Sequence, residues 1–252
     1  MTIYSGTFPS RCSLLFTTLL FAFTDTMKPL IASNDVTSYM RTKMVEQQLI
    51  PRGILDPHVL AALGKVERHR FVPPNQLANA YDDTPLPIGN DQTISQPYIV
   101  AYMAEAANIK KTDKVLEVGT GCGYNAAVLS HLGKEVYTIE TIKELSEGAK
   151  KRLADLGYTN IHCVHSDGSI GYPPEAPYDA IIVTAGAPTV PKSLLKQLAL
   201  HGRLIIPVHR GMFNEELVKI TRSGEGEGDE NFDEEFLCDV RFVPLIGKEG
   251  WQ

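Results

Sequence analysis

Two stretches carry residue types whose spacing could do chemistry. The first, VLEVGTGCGYN over residues 115–125, sets glycines at 119, 121 and 123 after an apolar run and before a helical pattern. Glycine in such a turn permits positive φ and lets a ligand lie against bare backbone. In the dinucleotide-binding turn a third glycine follows after two intervening residues, and a pyrophosphate rests on the helix N-terminus. Here Tyr124 takes that place, so the spacing is GxGxG. Glu117 stands two positions before Gly119, where a carboxylate would repel pyrophosphate but could receive a cation such as an α-ammonium group. Glu140 ends the next apolar run, about 20 residues on, where an acidic side chain can accept both hydroxyls of a ribose. Asp167 and Gly168 follow the third run, suited to an adenine edge. An adenosine with a ribose and an ammonium group but no phosphate is S-adenosyl-L-methionine. Packing could explain GxGxG alone, and Cys122 within it reads as a small filler.

The second stretch, NDQTISQPYIVAYM over residues 90–103, places Gln92, Thr93, Ile94, Ser95 and Gln96 before an apolar run of helical spacing. Ser95 has no partner base in view and no GxSxG around it, which argues against a serine hydrolase. A polar, uncharged cluster of this kind suits a nucleophile that is already ionised. Ser95 also reads as the N-cap of the helix that follows, with Pro97 in its first turn; the two roles are compatible.

These residues need a scaffold. After Lys110, apolar strand-like runs alternate with helical patterns: KVLEV, GYNAAVLSHL, EVYTIE, IKELSEGAKKRLADLG, NIHCVHSDG, YDAIIVTAG, PKSLLKQLALHG, RLIIPV. Continuous apolar strands belong to a parallel sheet covered on both faces, hence an α/β, doubly wound, Rossmann-like fold. Upstream, a helix from Asn34 with Val36, Met40, Met44, Val45 and Leu49 on one face precedes a second helix capped by Asp56 and stopped at Gly64. Residues 71–92 read as an ordered loop with a short hairpin. At the other end, EELVKITRS and EEFLCDVRFVPLI read as two antiparallel strands joined by the acidic loop GEGEGDENFDEE. Residues 34–252 are therefore expected to form one domain, with 34–110 as a helical part covering substrate and cofactor and 111–252 as the core.

With 43% hydrophobic and 21% charged residues among 252, the chain has enough apolar matter for a sizeable core, and neither a disordered chain nor a fibrous fold is expected beyond residues 1–33, which are expected to be disordered or dispensable. The net charge of −6 argues against a nucleic-acid partner. Cys12, Cys122, Cys163 and Cys238 form no CxxC pair, so neither a zinc site nor a disulfide framework is expected. His162 and His165 point to opposite faces of one strand and are not expected to share a metal. Near the N-terminus, residues 11–26 hold one arginine and an apolar segment of signal-peptide length, too short to span a bilayer. Ala22 is flanked by Phe21 and Phe23, which leaves no clean cleavage site. Residues 1–33 are thus expected to be a dispensable extension of a cytoplasmic protein, with Met27 or Met40 as candidate starts; a signal peptide and a periplasmic location form the alternative.

From about Met44 to Trp251 the chain resembles the protein-L-isoaspartate O-methyltransferase family, through MVEQQLIPRGI, RHRFVPP, AYDDTPLPIG, QTISQPYIVA, VLEVGTGCGY, LGYTNI, APYDAIIVTAGA and RFVPLIG. TISQP upstream of the glycine turn is peculiar to this family among methyltransferases. The resemblance implies methylation of the free α-carboxylate of L-isoaspartyl residues in damaged proteins and peptides, followed by spontaneous closure to succinimide. It implies Ser95 as the catalytic residue and cofactor contacts from Gln92 to Ser95, Glu117, the glycines at 119, 121 and 123, Glu140, Asp167 and Gly168. It further implies that substrate lies between the PLPIG loop and the RFVPL strand, held mainly through peptide backbone. Where some family members carry a histidine shortly after the serine, this chain has Tyr98, Ile99 and Val100. A monomer without metal or membrane is expected. Competing readings are a methyltransferase of other acceptors, a nicotinamide-dependent oxidoreductase, disfavoured by Glu117 and Tyr124, and a non-enzymatic binder on the same fold.

Overall fold

The computed structural model describes residues 34–211, 214–224 and 231–252. The expected extension over 1–33 and the acidic segment 225–230 lie outside the described residues. Three N-terminal helices, α1 (Asn34–Met44), α2 (Pro57–Lys65) and α3 (Pro97–Ala107), precede the sheet, with a two-stranded hairpin of β1 (Leu86–Gly89) and β2 (Gln92–Ile94) between α2 and α3. Strands β3 (Lys114–Val118), β4 (Glu135–Glu140), β5 (Ile161–His165), β6 (Tyr178–Val183), β7 (Leu198–His209), β8 (Glu215–Arg222) and β9 (Phe232–Asp239) follow, with α4 (Tyr124–Ser130) after β3, α5 (Lys143–Asp155) after β4 and α6 (Lys192–Lys196) after β6, while short 3-10 turns join β5 to β6. They form one sheet in the order β5-β4-β3-β6-β7-β8-β9. Pairing is parallel from β5 through β7 and antiparallel for β8 and β9.

Side chains alternate across each strand, so a run apolar on both faces needs cover on both. Val115 packs with Met103 of α3 and Leu129 of α4 in one cluster. Its neighbours Leu116 and Val118 pack on the opposite face with Leu194 of α6. From β3 the chain passes to β4 on one side and later to β6 on the other. The crevice beyond the carboxyl ends of β3 and β6 is therefore the topological switch point, where open α/β sheets bind ligands.

Several expectations are corrected. The apolar pattern over 191–202 is not one helix: α6 ends at Lys196 and β7 begins at Leu198, which pairs with Tyr178. The strand then bends at His201, which takes φ +63. Gly202 follows where a Cβ would lie 2.8 Å from the Ala199 carbonyl oxygen. Gly64 lies inside α2 rather than ending it, while Asp56 caps that helix as expected by accepting from His58 N–H at 2.8 Å. Val36 is exposed rather than on the buried face of α1. The antiparallel tail forms as expected, but β9 starts at Phe232, inside the presumed loop, and ends at Asp239, so RFVPL lies beyond it as an extended segment bridged to Gly186. Ser95 does not open a helix: α3 starts at Pro97, with Gln96 as the cap residue.

Candidate active site

The glycine turn is built from the backbone outward. Gly119 and Thr120 both donate to the Ile139 carbonyl, at 2.9 and 3.1 Å. Gly119 takes φ +100, and a Cβ there would come within 2.3 Å of the Thr184 hydroxyl. That hydroxyl donates to the carbonyls of Val118 (3.1 Å) and Gly119 (2.9 Å), clipping the end of β6 to the turn after β3. Gly121 and Gly123 also have positive φ, and Gly123 packs against Leu153 of α5. Glu140 ties the turn from the neighbouring strand: Oε2 accepts from Gly121 N–H at 2.8 Å and Oε1 from Ile142 N–H at 3.0 Å.

A cavity of about 320 Å³ opens above this turn, walled by Gly119, Gly121, Glu140, Gly168, Gln92 and Thr93 among others. Beside it runs a larger groove of about 880 Å³, lined by Ser95, Tyr98, Tyr102, Arg241 and Phe242. Thr93 and Thr184 line both, so the spaces meet there, and a small recess with Ile94, Ser95 and Asn125 in its wall joins them. No group among the described residues hydrogen-bonds the Ser95 hydroxyl. Ser95 thus stands on the groove side of the junction with its donor and acceptor capacity unused.

Two of the expected carboxylates lie elsewhere. Glu117 is 0% exposed. Its Oε1 accepts from Asn125 Nδ2 at 2.8 Å and its Oε2 from the Thr138 hydroxyl at 2.5 Å, and Thr138 meets the Thr120 hydroxyl at 2.6 Å. Burial pushes its carboxyl up to about 8, against those two hydrogen bonds, and the nearby Glu140 charge pushes the same way. A carboxyl raised that far is largely protonated at pH 7; it lies outside the recess wall and connects to it through Asn125 and through Thr138 and Thr120. Asp167 caps a short turn by accepting from Ser169 N–H at 2.8 Å, and its Oδ2 accepts from Lys248 N–H at 2.7 Å. These bonds outweigh burial and hold its carboxyl below the usual range. Gly168 beside it reaches the cavity wall, packed so closely that a Cβ would lie 2.5 Å from a Val118 methyl.

Thr184 and Asn125 join the site without having been singled out in the sequence. Thr184 had one signal available, its place at the carboxyl end of a buried strand beside the switch point. Among the described residues no group of three or more His, Cys, Asp or Glu side chains could hold a metal. His162 instead stacks on Tyr137, with centroids 4.6 Å apart.

Comparison with known proteins follows the same lines. A family model described as Protein-L-isoaspartate(D-aspartate) O-methyltransferase (PCMT) matches residues 40–250. A Pelobacter propionicus protein named Protein-L-isoaspartate O-methyltransferase 2 is 53% identical over 213 residues, 84% of this chain and 93% of its own. A solved protein-L-isoaspartate O-methyltransferase superposes with TM-score 0.74 at 30% identity, over 83% of this chain and 66% of that one. A Plasmodium falciparum chain assigned to the same activity, solved in complex with S-adenosyl-L-homocysteine, superposes with TM-score 0.70 at 26% identity, over 82% of this chain and 98% of that one.

Proposed function

The chain belongs to the protein-L-isoaspartate(D-aspartate) O-methyltransferase family, and from that premise we propose how its own residues carry the reaction. It is an S-adenosyl-L-methionine-dependent carboxyl methyltransferase of damaged proteins. The acceptor is the free α-carboxylate of an L-isoaspartyl residue, and the methyl ester formed closes to succinimide.

The cofactor supplies a methyl group on a sulfonium centre. The smaller cavity suits it chemically. Each Glu140 oxygen already accepts one backbone N–H, and a carboxylate oxygen has a second lone pair with which to accept a ribose hydroxyl. Gly119, Gly121 and Gly168 keep the backbone bare for close approach, while Gly123 completes the turn against Leu153. Gln92 and Thr93 wall the cavity on the groove side, and Ile94 and Ser95 line the recess next to it. Glu117 acts through Asn125, and Asp167 through its hold on the backbone around Lys248, rather than by touching the ligand.

On the substrate side, an isoaspartyl carboxylate has a reference pKa of about 3.5 and is ionised at neutral pH, so no base is needed. The work of the protein is to hold that oxygen about 3 Å from the methyl carbon, in line with the leaving sulfur, and to keep water out. Ser95 donates its hydroxyl to the carboxylate, and the peptide lies in the groove between Pro85 and the segment 240–243. What supports this most is the Ser95 hydroxyl, without a hydrogen-bond partner among the described residues, at the junction of the two spaces.

Residues 34–252 act as one domain; Met44 and Leu49 of the N-terminal part share an apolar cluster with Val115 and Ala180 of the sheet. The enzyme works as a cytoplasmic monomer without nucleic acid, in keeping with a net charge of −6 and with Cys122, Cys163 and Cys238 as free thiols. No helix among the described residues is long and apolar enough to cross a membrane.

The deciding experiment is transfer of labelled methyl from S-adenosyl-L-methionine to an L-isoaspartyl peptide beside its aspartyl twin. Base-labile label on the isoaspartyl peptide alone is expected; equal labelling of both, or of neither while cofactor binds, would overturn the assignment.

A further inference from the structure

The first turn of a helix leaves N–H groups unsatisfied, and the residue before it normally supplies the acceptor. In α3 that residue is Gln96, and its side chain does not cap the helix. The acceptor comes instead from Asp83, in the loop before β1. Asp83 Oδ1 accepts from Tyr98 N–H at 3.1 Å, and Oδ2 accepts from Gln96 Nε2 at 2.8 Å. Arg52 pairs with the same Oδ2. Its guanidinium carbon lies 3.5 Å from the centroid of the Tyr98 ring, and Tyr98 stacks on Tyr102 at 5.7 Å.

Ser95 is the single residue between two fixed points. On its N-terminal side, Ile94 is paired with Leu86 in the β1–β2 hairpin. On its C-terminal side, Gln96 and Tyr98 are held by Asp83. A serine that capped the helix itself would have its oxygen aimed at the first-turn N–H groups. Here an external carboxylate accepts from Tyr98 N–H instead, and among the described residues nothing hydrogen-bonds the Ser95 hydroxyl.

We propose that Asp83 is a positioning residue for methyl transfer: by capping α3 from outside, with Arg52 holding its carboxylate, it spares the Ser95 oxygen the role of helix cap and fixes the aim of its hydroxyl at the substrate. This rests on the reading of Ser95 as the donor to the substrate carboxylate. Asp83 lies outside the cofactor cavity wall, so its loss should act on turnover and not on cofactor affinity.

The test is a double-mutant cycle of Asp83→Ala and Ser95→Ala, with steady-state kinetics on an isoaspartyl peptide and calorimetric titration of S-adenosyl-L-methionine. Misplacing a catalytic group by a fraction of an ångström costs about tenfold or more in rate. Asp83→Ala should therefore lower kcat by about tenfold while cofactor Kd stays within about twofold. Asp83→Asn should recover part of the loss, because its amide oxygen still accepts from Tyr98 N–H; this variant keeps the side-chain volume and carries the same cycle if Asp83→Ala does not fold. In the Ser95→Ala background the Asp83 substitution should have no further effect on kcat. An equal fold-loss in both backgrounds, or a matching loss of cofactor affinity, would show a general structural role and overturn the proposal. If Ser95→Ala itself left kcat unchanged, the Ser95 reading would fall and this proposal with it, which is a different outcome from additivity.

Discussion

Glu117→Gln tests whether a carboxyl beside the cofactor turn is neutral in the folded protein. Glu117 is fully buried, and its pKa is raised from an ordinary 4.5 to about 8. The sign follows from proton counting: below the unfolded value both states hold the proton, and between the two values only the folded state does. Stability from this group is thus complete at low pH and is lost as pH rises towards 8, by about 1.4 kcal/mol per unit. From about pH 5 to about pH 7.5 the loss amounts to about 3 kcal/mol. A glutamine has nearly the same volume and does not titrate. Its carbonyl can accept from Asn125 Nδ2, and its amide can donate to the Thr138 hydroxyl, which then turns its own hydrogen to Thr120. Urea unfolding of the cofactor-free protein and the variant, across this pH span, gives the difference in unfolding free energy. That difference should move in favour of the Glu117→Gln variant by about 3 kcal/mol as pH rises, since all other titrations cancel. A pH-independent difference would mean that Glu117 ionises in the fold as it does in solution, and the reasoning from burial would be refuted.

Ser95→Ala should lower kcat by about 100-fold, the cost of one well-placed donor to a reacting oxygen, with cofactor Kd nearly unchanged; calorimetry showing equal loss of both would reject its assigned role. Glu140→Ala removes the acceptor for Gly121 and Ile142 N–H and, on the proposed reading, for ribose, so cofactor affinity should fall by about tenfold or more, each lost charged hydrogen bond being worth about 1.5–3 kcal/mol; an unchanged titration isotherm would count against the site. Gly119→Ala forces a Cβ to within 2.3 Å of the Thr184 hydroxyl at φ +100, which should cost about 2 kcal/mol or more in urea denaturation and weaken the cofactor site; wild-type stability would show that the turn relaxes freely.

Features set by local backbone requirements were legible from the residues alone. Glycines at 119, 121 and 123 all take positive φ, and the buried strands around them read directly from continuous apolar runs. What escaped was decided by tertiary contacts. Nothing in TISQP says that the helix cap is delivered by Asp83, 13 residues before Gln96. Leu194, Leu195, Leu198 and Ala199 fit a helical face, and only the pairing of Leu198 with Tyr178 turns the second half into strand. Thr184 carries no motif; its importance comes from standing where two ends of non-adjacent sequence, β3 and β6, lie side by side.

The acidic residues at the strand ends illustrate a more general point about such sites. Composition and spacing single out Glu117, Glu140 and Asp167 as one class, yet the fold sets each in a different environment. Glu140 faces the cavity with spare lone pairs; Glu117 is stripped of water, and that burial raises its pKa to about 8. Asp167 turns towards the C-terminal segment, holding Lys248 N–H at 2.7 Å. That segment also contributes Val243 to both cavity and groove, and is fixed upstream by Glu215, whose Oε2 accepts from Phe242 N–H at 2.8 Å. A carboxylate that stabilises a wall is as necessary to transfer as one that touches the ligand, because a reaction without a general base depends almost wholly on where the two reactants are held.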